Sequence, residues 1–128
     1  MDNLSFLEIA EDLELAGLIW KPEIGDEIAE RARKSVISIL VDPQGLTPDE
    51  LRAVYLWLPT VEQMVVQFEA RQAILCHAGL ELSDHSIAYR TVIKAPVGQF
   101  ECQAASLRSS MGMALRNLLL SAAPINVN

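Results

Sequence analysis

The chain has 128 residues and a mass of 14.1 kDa, a size at which a single hydrophobic core is expected. Hydrophobic residues make up 51% of the chain, which excludes wholesale disorder because their burial can offset the entropy lost on folding. The formal net charge is −7, and without a Lys/Arg stripe the chain lacks the counterion release that supplies most non-specific affinity for nucleic acids. We therefore expect one α+β domain over residues 1–128 that has no nucleic-acid partner.

The acidic side chains are concentrated at the start of the chain. Residues 1–30 hold nine of them against a single basic residue, Lys21. This N-terminus has no basic region followed by an apolar run, as a secretory signal would, and no apolar stretch approaches the ~18 residues of a membrane span. We expect a cytoplasmic protein with no membrane partner, in which this acidic helical segment packs on the rest of the domain.

The first predicted helix spans roughly residues 6–16, where apolar side chains recur at helical spacing. Ser5 begins a capping-box pattern, and Gly17 suits the C-terminal cap. Residues 26–41 fit both a helix and a strand. The density of β-branched residues favours a buried strand over 35–41.

Residue chemistry marks two further helix starts. After a predicted turn over residues 42–45, Thr47 is followed by proline at the first helical position and by glutamate at the third. This short helix should end before Pro59. A second capping pattern at Thr60 predicts a helix that runs to about residue 77.

The hydrophobic period then changes from 3.6 to 2. Strict alternation over 87–94 and 99–104, with a short strand at 80–82, predicts an antiparallel meander within residues 79–105. With the 35–41 strand the sheet would have three or four strands. Its inward residues should be Ile87, Tyr89, Ile93, Phe100 and Cys102, facing Phe68, Met111, Leu115 and Leu118.

Apolar positions between residues 107 and 122 predict a final amphipathic helix. Its solvent face should include Arg108, Ser109 and Gly112. Two amphipathic helices that cover one face of a short antiparallel sheet bury both apolar stripes at once. The fold class expected from the sequence is therefore α+β, with a three- or four-stranded antiparallel sheet covered by helices.

A Trp-x-Pro motif occurs twice, as Trp20 with Pro22 and as Trp57 with Pro59. A tryptophan buries a large apolar area and carries an N–H that needs a partner. Each motif can therefore either anchor a chain entry against the core or form an exposed platform for protein recognition. The four residues are our candidate interaction surface.

His77, Asp84 and His85 form the cluster with the chemistry of metal ligands. A catalytic zinc would need a further carboxylate, and the alternative interpretation is a set of solvated turn residues. Cys76 and Cys102 lie 26 residues apart without a CxxC pair, which is typical of reduced core thiols. We expect no cofactor.

Residues 55–122 resemble a family of small domains in phage and prophage-like proteins. The resemblance lies in WLPTVEQMVVQFEARQ, the alternating meander, and QFECQAASLRSSMGMALRNLL. In such domains an aromatic-Pro-Thr entry starts a helix, and an Ala/Ser-rich segment leads into an Ala/Leu helix. The resemblance implies a helix-sheet-helix sandwich and no assigned activity or site residues.

Together these patterns predict a non-enzymatic protein-binding or regulatory module. One alternative is a small metal-dependent enzyme that uses the 76–85 segment. Another is a small-molecule sensor with a sheet-helix cleft lined by Phe68, Tyr89, Phe100 and Met111. The partner is another protein or a second copy of the chain, because a short meander leaves an unpaired edge and the acidic first helix could be exchanged in a two-fold dimer.

Overall fold

The computed structural model describes residues 5–122. This part of the chain contains four helices and six strands. The helices are α1 (Phe6–Leu15), α2 (Pro48–Val54), α3 (Val61–Ala70) and α4 (Leu107–Ala122). The strands are β1 (Glu27–Glu30), β2 (Ile37–Ile39), β3 (Tyr55–Trp57), β4 (Ile74–Ser83), β5 (Ser86–Ala95) and β6 (Gly98–Ala104). The α+β class is confirmed. The strands form two antiparallel sheets, a first sheet in the order β2-β1-β3 and a second in the order β4-β5-β6.

The second sheet is the predicted meander, and the predicted inward face is confirmed for Ile93 and Cys102, whereas Tyr89 and Phe100 on that face are only partly buried. Ile93 and Cys102 are buried on the face toward α4. Thr91 lies on the same face, where its hydroxyl is 2.7 Å from that of Ser110 in α4. Ile87 shares this face but is 65% exposed, so its predicted place in the core is wrong. The reason is that α4 does not cover the far end of the β4–β5 hairpin.

The helix predicted from Thr60 to about residue 77 is correct only in its first half. The Thr60 capping box is formed, with Gln63 as its second member, but α3 ends at Ala70. Gln72 then adopts a left-handed φ of 59°, and the chain continues directly into β4. Pairing with β5 satisfies the backbone groups of this segment and places Leu75 against the core, and these contacts outweigh the helical spacing of the sequence.

The first sheet was not predicted as a separate unit. Residues 26–41 form a hairpin of β1 and β2, and β3 pairs with the other side of β1. Ile37 and Ile39 of β2 are 47% and 50% exposed, so the expectation of a buried strand over 35–41 is wrong. Within residues 5–122, β2 is an edge strand with β1 as its one neighbour. The Thr47 capping box is formed as predicted, although α2 gives way to β3 at residue 55.

Helix α1 packs against α4 and contributes to the largest cluster of buried apolar residues, which we call the main core. Ile9 and Leu13 are fully buried there, beside Phe68, Met111 and Leu115. Sheet residues such as Ile93 complete the same cluster. None of the helices within residues 5–122 is both long enough and apolar enough to cross a membrane.

The ends of α1 agree only in part with the sequence prediction. Ser5 is the N-cap residue, but its side chain makes no capping hydrogen bond, so the capping box is absent. At the other end Gly17 has a φ of 109°, and the Leu18 N–H donates to the Leu13 carbonyl at 2.9 Å. This is the glycine-dependent helix ending that the sequence predicted.

The acidic face of α1 is paired with basic residues of the same chain. Glu14 binds Arg31, Glu11 binds Lys34, and Asp12 lies 3.4 Å from Arg116. The acidic N-terminal helix therefore docks through charge on its outer side and through apolar burial on its inner side.

Helix α4 is covered on two sides, which corrects the predicted solvent face. Ser109 and Gly112 are both buried, and α1 packs over Gly112. A Cβ added at Gly112 would lie 2.7 Å from Cγ2 of Ile9 and 3.1 Å from the Phe6 ring. The absence of a side chain at this position therefore allows the two helices to approach.

We predict that Leu115→Ala lowers the free energy of unfolding by about 2–5 kcal/mol, because Leu115 is fully buried in the main core. Leu120→Ala is the matched control, since Leu120 belongs to the same helix and is 58% exposed. Urea denaturation measures both. Equal small losses would show that α4 is not docked as described.

We predict that Gly112→Ala also destabilises the protein, by roughly 1 kcal/mol. Alanine gains about 1 kcal/mol in helix propensity, but overpacking against Ile9 costs ~1–3 kcal/mol. Gly79→Ala is the control, since a Cβ there meets nothing within 4 Å. A more stable Gly112→Ala protein would argue against the close approach of α1 and α4.

Candidate functional site

The predicted metal ligands are not brought together. His77 lies within β4, where its Nε2 is 3.5 Å from Glu81. Asp84 and His85 form the turn at the end of the hairpin. Asp84 lies seven residues after His77 along the extended strand, a distance of roughly 20 Å. Within residues 5–122 no three His, Cys, Asp or Glu side chains are grouped so that they could hold a metal ion.

The two cysteines occupy different environments. Cys102 is buried in the main core, and this burial raises the pKa of its thiol. It is therefore the core thiol that the sequence predicted, and its thiolate form is disfavoured at neutral pH. Cys76 is exposed, which corrects the expectation of a buried residue. It lies at the bulge in β4, where the register shifts between Leu75 and His77.

Trp20 is an anchor of the interior. It is 5% exposed, and its indole N–H donates to Oδ2 of Asp26 at 2.8 Å. Asp26 is itself 5% exposed, and it also accepts from the Glu23 N–H at 2.9 Å and from the Gln63 amide at 2.8 Å. Three donors around one buried carboxylate fix the segment after Trp20 against the start of α3.

The prolines of the two motifs differ in burial. Pro59 is fully buried, whereas Pro22 is partly exposed. Of the two interpretations that the sequence left open, the geometry therefore favours an interior anchor for Trp20 and Pro59.

Trp57 and Trp20 both line a cleft of about 200 Å³, which we call the tryptophan cleft. The cleft opens between α1, the segment after it, α2 and the free edge of β3. Its lining residues are Ala10, Glu14, Leu18, Ile19, Trp20, Arg31, Arg52, Tyr55, Leu56 and Trp57. The Trp57 N–H is buried, and no atom of the described residues accepts a hydrogen bond from it. A buried donor without an acceptor costs about 1–3 kcal/mol.

Two arginines connect the segments that line the tryptophan cleft by hydrogen bonds. Arg31 donates to both carboxylate oxygens of Glu14, at 3.0 and 2.5 Å, and to the Arg52 carbonyl at 2.9 Å. Arg52 in turn donates to the Trp20 carbonyl at 2.6 Å and to Asp49 at 2.7 Å. The Asp49 side chain is 95% exposed, so this last ion pair contributes little to stability.

A second surface lies at the far end of the β4–β5 hairpin, which we call the apolar arm. Leu80, Leu82 and Ile87 are 58%, 75% and 65% exposed there. Leu82 pairs with Ile87, and Leu80 with Tyr89, so their side chains share the sheet face that is buried further along. β4 is also an edge strand, and its sequence ILCHAGLELS has none of the Lys or Pro residues that usually discourage edge pairing.

The opposite face of the hairpin carries a group of ion pairs around Arg90. Arg90 donates to Glu81 at 2.9 Å and to Glu101 at 2.7 Å. The hydrogen bond and charge of Arg90 lower the pKa of Glu101, and the two carboxylates raise the pKa of Arg90. Arg90 and Glu101 therefore stay charged near neutral pH, and the arm has one face with ion pairs and one apolar face.

No protein-family model, curated protein or solved structure matches this chain. The resemblance of residues 55–122 to phage-like domains therefore stays a prediction.

Phe68 and Met111, expected to line a sheet-helix cleft in a sensor, are each 1% exposed within the main core.

Sequence reasoning identified the two tryptophans but missed Arg31, Arg52 and Tyr55, because the cleft is assembled from four separate segments of the chain. The apolar arm did have a signal in the alternation around Leu80 and Ile87. That alternation does not indicate how far α4 extends over the sheet.

We predict that Asp26→Ala lowers the free energy of unfolding by about 3 kcal/mol, because it leaves the Trp20 N–H and the Gln63 amide without their charged acceptor. Asp42→Ala is the matched control, since Asp42 is exposed and accepts from the Gln44 N–H. We expect the control to lose less than about 1 kcal/mol. Similar losses in the two variants, measured by urea denaturation, would refute a special role for the buried carboxylate.

Proposed function

We propose that this chain is a non-enzymatic protein-binding module that acts through the apolar arm. The observation that carries the proposal is the exposure of three large apolar side chains, Leu80, Leu82 and Ile87, on one face of one hairpin. Single exposed apolar residues are ordinary on protein surfaces. Neighbouring ones on a continuous face form a patch of the kind that binds other proteins.

The partner that fits this surface is a second copy of the chain. Two β4 strands that pair antiparallel about a two-fold axis would extend the second sheet to six strands. Such an axis stands perpendicular to the sheet, so both apolar arms lie on the same side of it. In the pairing that we propose the axis passes close to Leu80, where the two arms meet. Each copy then covers the exposed leucines of the other and satisfies the backbone groups of its edge.

The charges of β4 favour this pairing. Glu81 is its acidic residue, and it is already paired with Arg90 of the same chain at 2.9 Å. Bringing two β4 strands together therefore does not place two unpaired carboxylates side by side. Pairing of the basic residues Arg31 and Lys34 with α1 likewise supports our expectation that the partner is not a nucleic acid.

Light scattering on a sizing column tests the proposal through Leu80→Arg. We predict that the wild type has about twice the chain mass of 14.1 kDa and that Leu80→Arg has the single-chain mass, because a buried charge at the contact has no partner. Leu120→Arg is the matched control, since Leu120 is also 58% exposed but lies on α4.

Three results would contradict the proposal. They are a single-chain mass for the wild type across a range of concentrations, a dimer that persists in Leu80→Arg, and loss of the dimer in both variants alike. A dimer that persists in Leu80→Arg would favour an exchange of α1 instead. Circular dichroism of each variant confirms that its fold is intact.

A further inference from the structure

We infer that the tryptophan cleft binds a small apolar monocarboxylate, about the size of one aromatic ring with a short acid chain. This inference is independent of the apolar arm, because the cleft lies beside the first sheet and the arm belongs to the second. It rests on the size of the cleft, the nature of its walls and the charge at its rim.

The size and walls of the cleft select a compact apolar group. Its volume is about 200 Å³, whereas a dry apolar cavity of about 150 Å³ in another protein holds benzene. Trp20, Tyr55 and Trp57 supply aromatic surface, and Leu18 and Leu56 supply aliphatic surface. Aromatic walls favour a flat or branched apolar ligand through stacked and edge-to-face contacts.

The charge at the rim selects an anion. Arg31, Arg52 and Glu14 are the charged lining residues, which makes the lining net positive on a chain whose net charge is −7. Arg31 is occupied by Glu14 and by the Arg52 carbonyl. Arg52 is held on its outer side by Asp49, which is 95% exposed and therefore readily displaced. We assign Arg52 as the group that binds the ligand carboxylate, since guanidinium and carboxylate groups match in geometry.

The indole of Trp57 contributes apolar wall and not a hydrogen bond. Its N–H has no acceptor within residues 5–122, but the atom is buried behind the cleft surface, where an oxygen of a bound ligand does not reach it. The carboxylate of the ligand is therefore assigned to Arg52 alone.

A free small molecule fits the cleft better than a peptide segment does. The volume accommodates about one side chain, and a peptide would have to lie outside it. Acidic residues also crowd the adjacent α1, where Glu11, Asp12 and Glu14 are found, and these would repel an extended acidic peptide more than a compact monoanion.

Intrinsic fluorescence gives a direct test, because the chain has two tryptophans and both line the cleft. Phenylacetate is the probe. Phenylacetamide tests the need for the charge, and acetate tests the need for the apolar group. We expect a saturable change in emission with phenylacetate and at least about tenfold weaker binding of the other two, since a charged hydrogen bond is worth roughly one decade or more.

Variants at the rim complete the test. Arg52→Gln should weaken phenylacetate binding about tenfold or more, and Arg52→Lys should weaken it less, because it keeps the charge but loses the planar fork. Arg33→Gln is the matched control, since the Arg33 side chain is 70% exposed and pairs with Glu30, away from the cleft.

The inference is overturned if phenylacetate gives no saturable response or if phenylacetamide binds as tightly. Equal binding by wild type and a folded Arg52→Gln would also overturn it. If Arg52→Gln does not fold, the comparison of phenylacetate with its amide on the wild type still decides the matter.

Discussion

The side chain of Arg108, in the first turn of α4, connects the first sheet, α1 and the start of α3. Its guanidinium donates to the carbonyls of Leu58 and Pro59 at 2.5 and 2.8 Å, and it lies 3.0 Å from Glu27 of β1. The same group lies over the Phe6 ring, 4.3 Å from its centre. The two sheets of the described chain share no strand, so this charge-assisted junction fixes the first sheet against the helix that covers the second.

The two candidate surfaces lie outside this junction. Arg108 contacts Phe6 near the start of α1, whereas the tryptophan cleft is lined by Ala10 and Glu14 further along that helix. The apolar arm lies at the far end of the β4–β5 hairpin, where Leu82 and Ile87 are exposed. Neither surface uses a residue that Arg108 contacts.

Features that depend on neighbouring residues were predictable from the sequence. The capping boxes at Thr47 and Thr60 need only residues three positions apart, and the meander follows from strict alternation. The end of α3 was not predictable in this way, because residues after Ala70 satisfy a helical spacing as well as a strand. Only their pairing with β5, many residues later, decides between the two.

The same reasoning explains the parts of the site that were missed. Arg31 and Arg52 resembled ordinary surface charges in the sequence, since nothing local reveals that Arg31 contacts Glu14, 17 residues earlier. Arg108 was expected to be solvated, yet most of its polar groups are used within the fold. Long side chains that join distant segments are the features that a linear pattern does not show.

The contact between Ile9 and Gly112 has a consequence for how the protein is made. About a hundred residues separate these two positions, so α1 leaves the ribosome long before the helix that covers its apolar face. Closing so long a loop is entropically costly and makes the final docking step a late event in folding. Until α4 is made, Ile9 and Leu13 lack the surface that buries them, and the acidic residues on the other face of α1 favour the solubility of the unfinished chain.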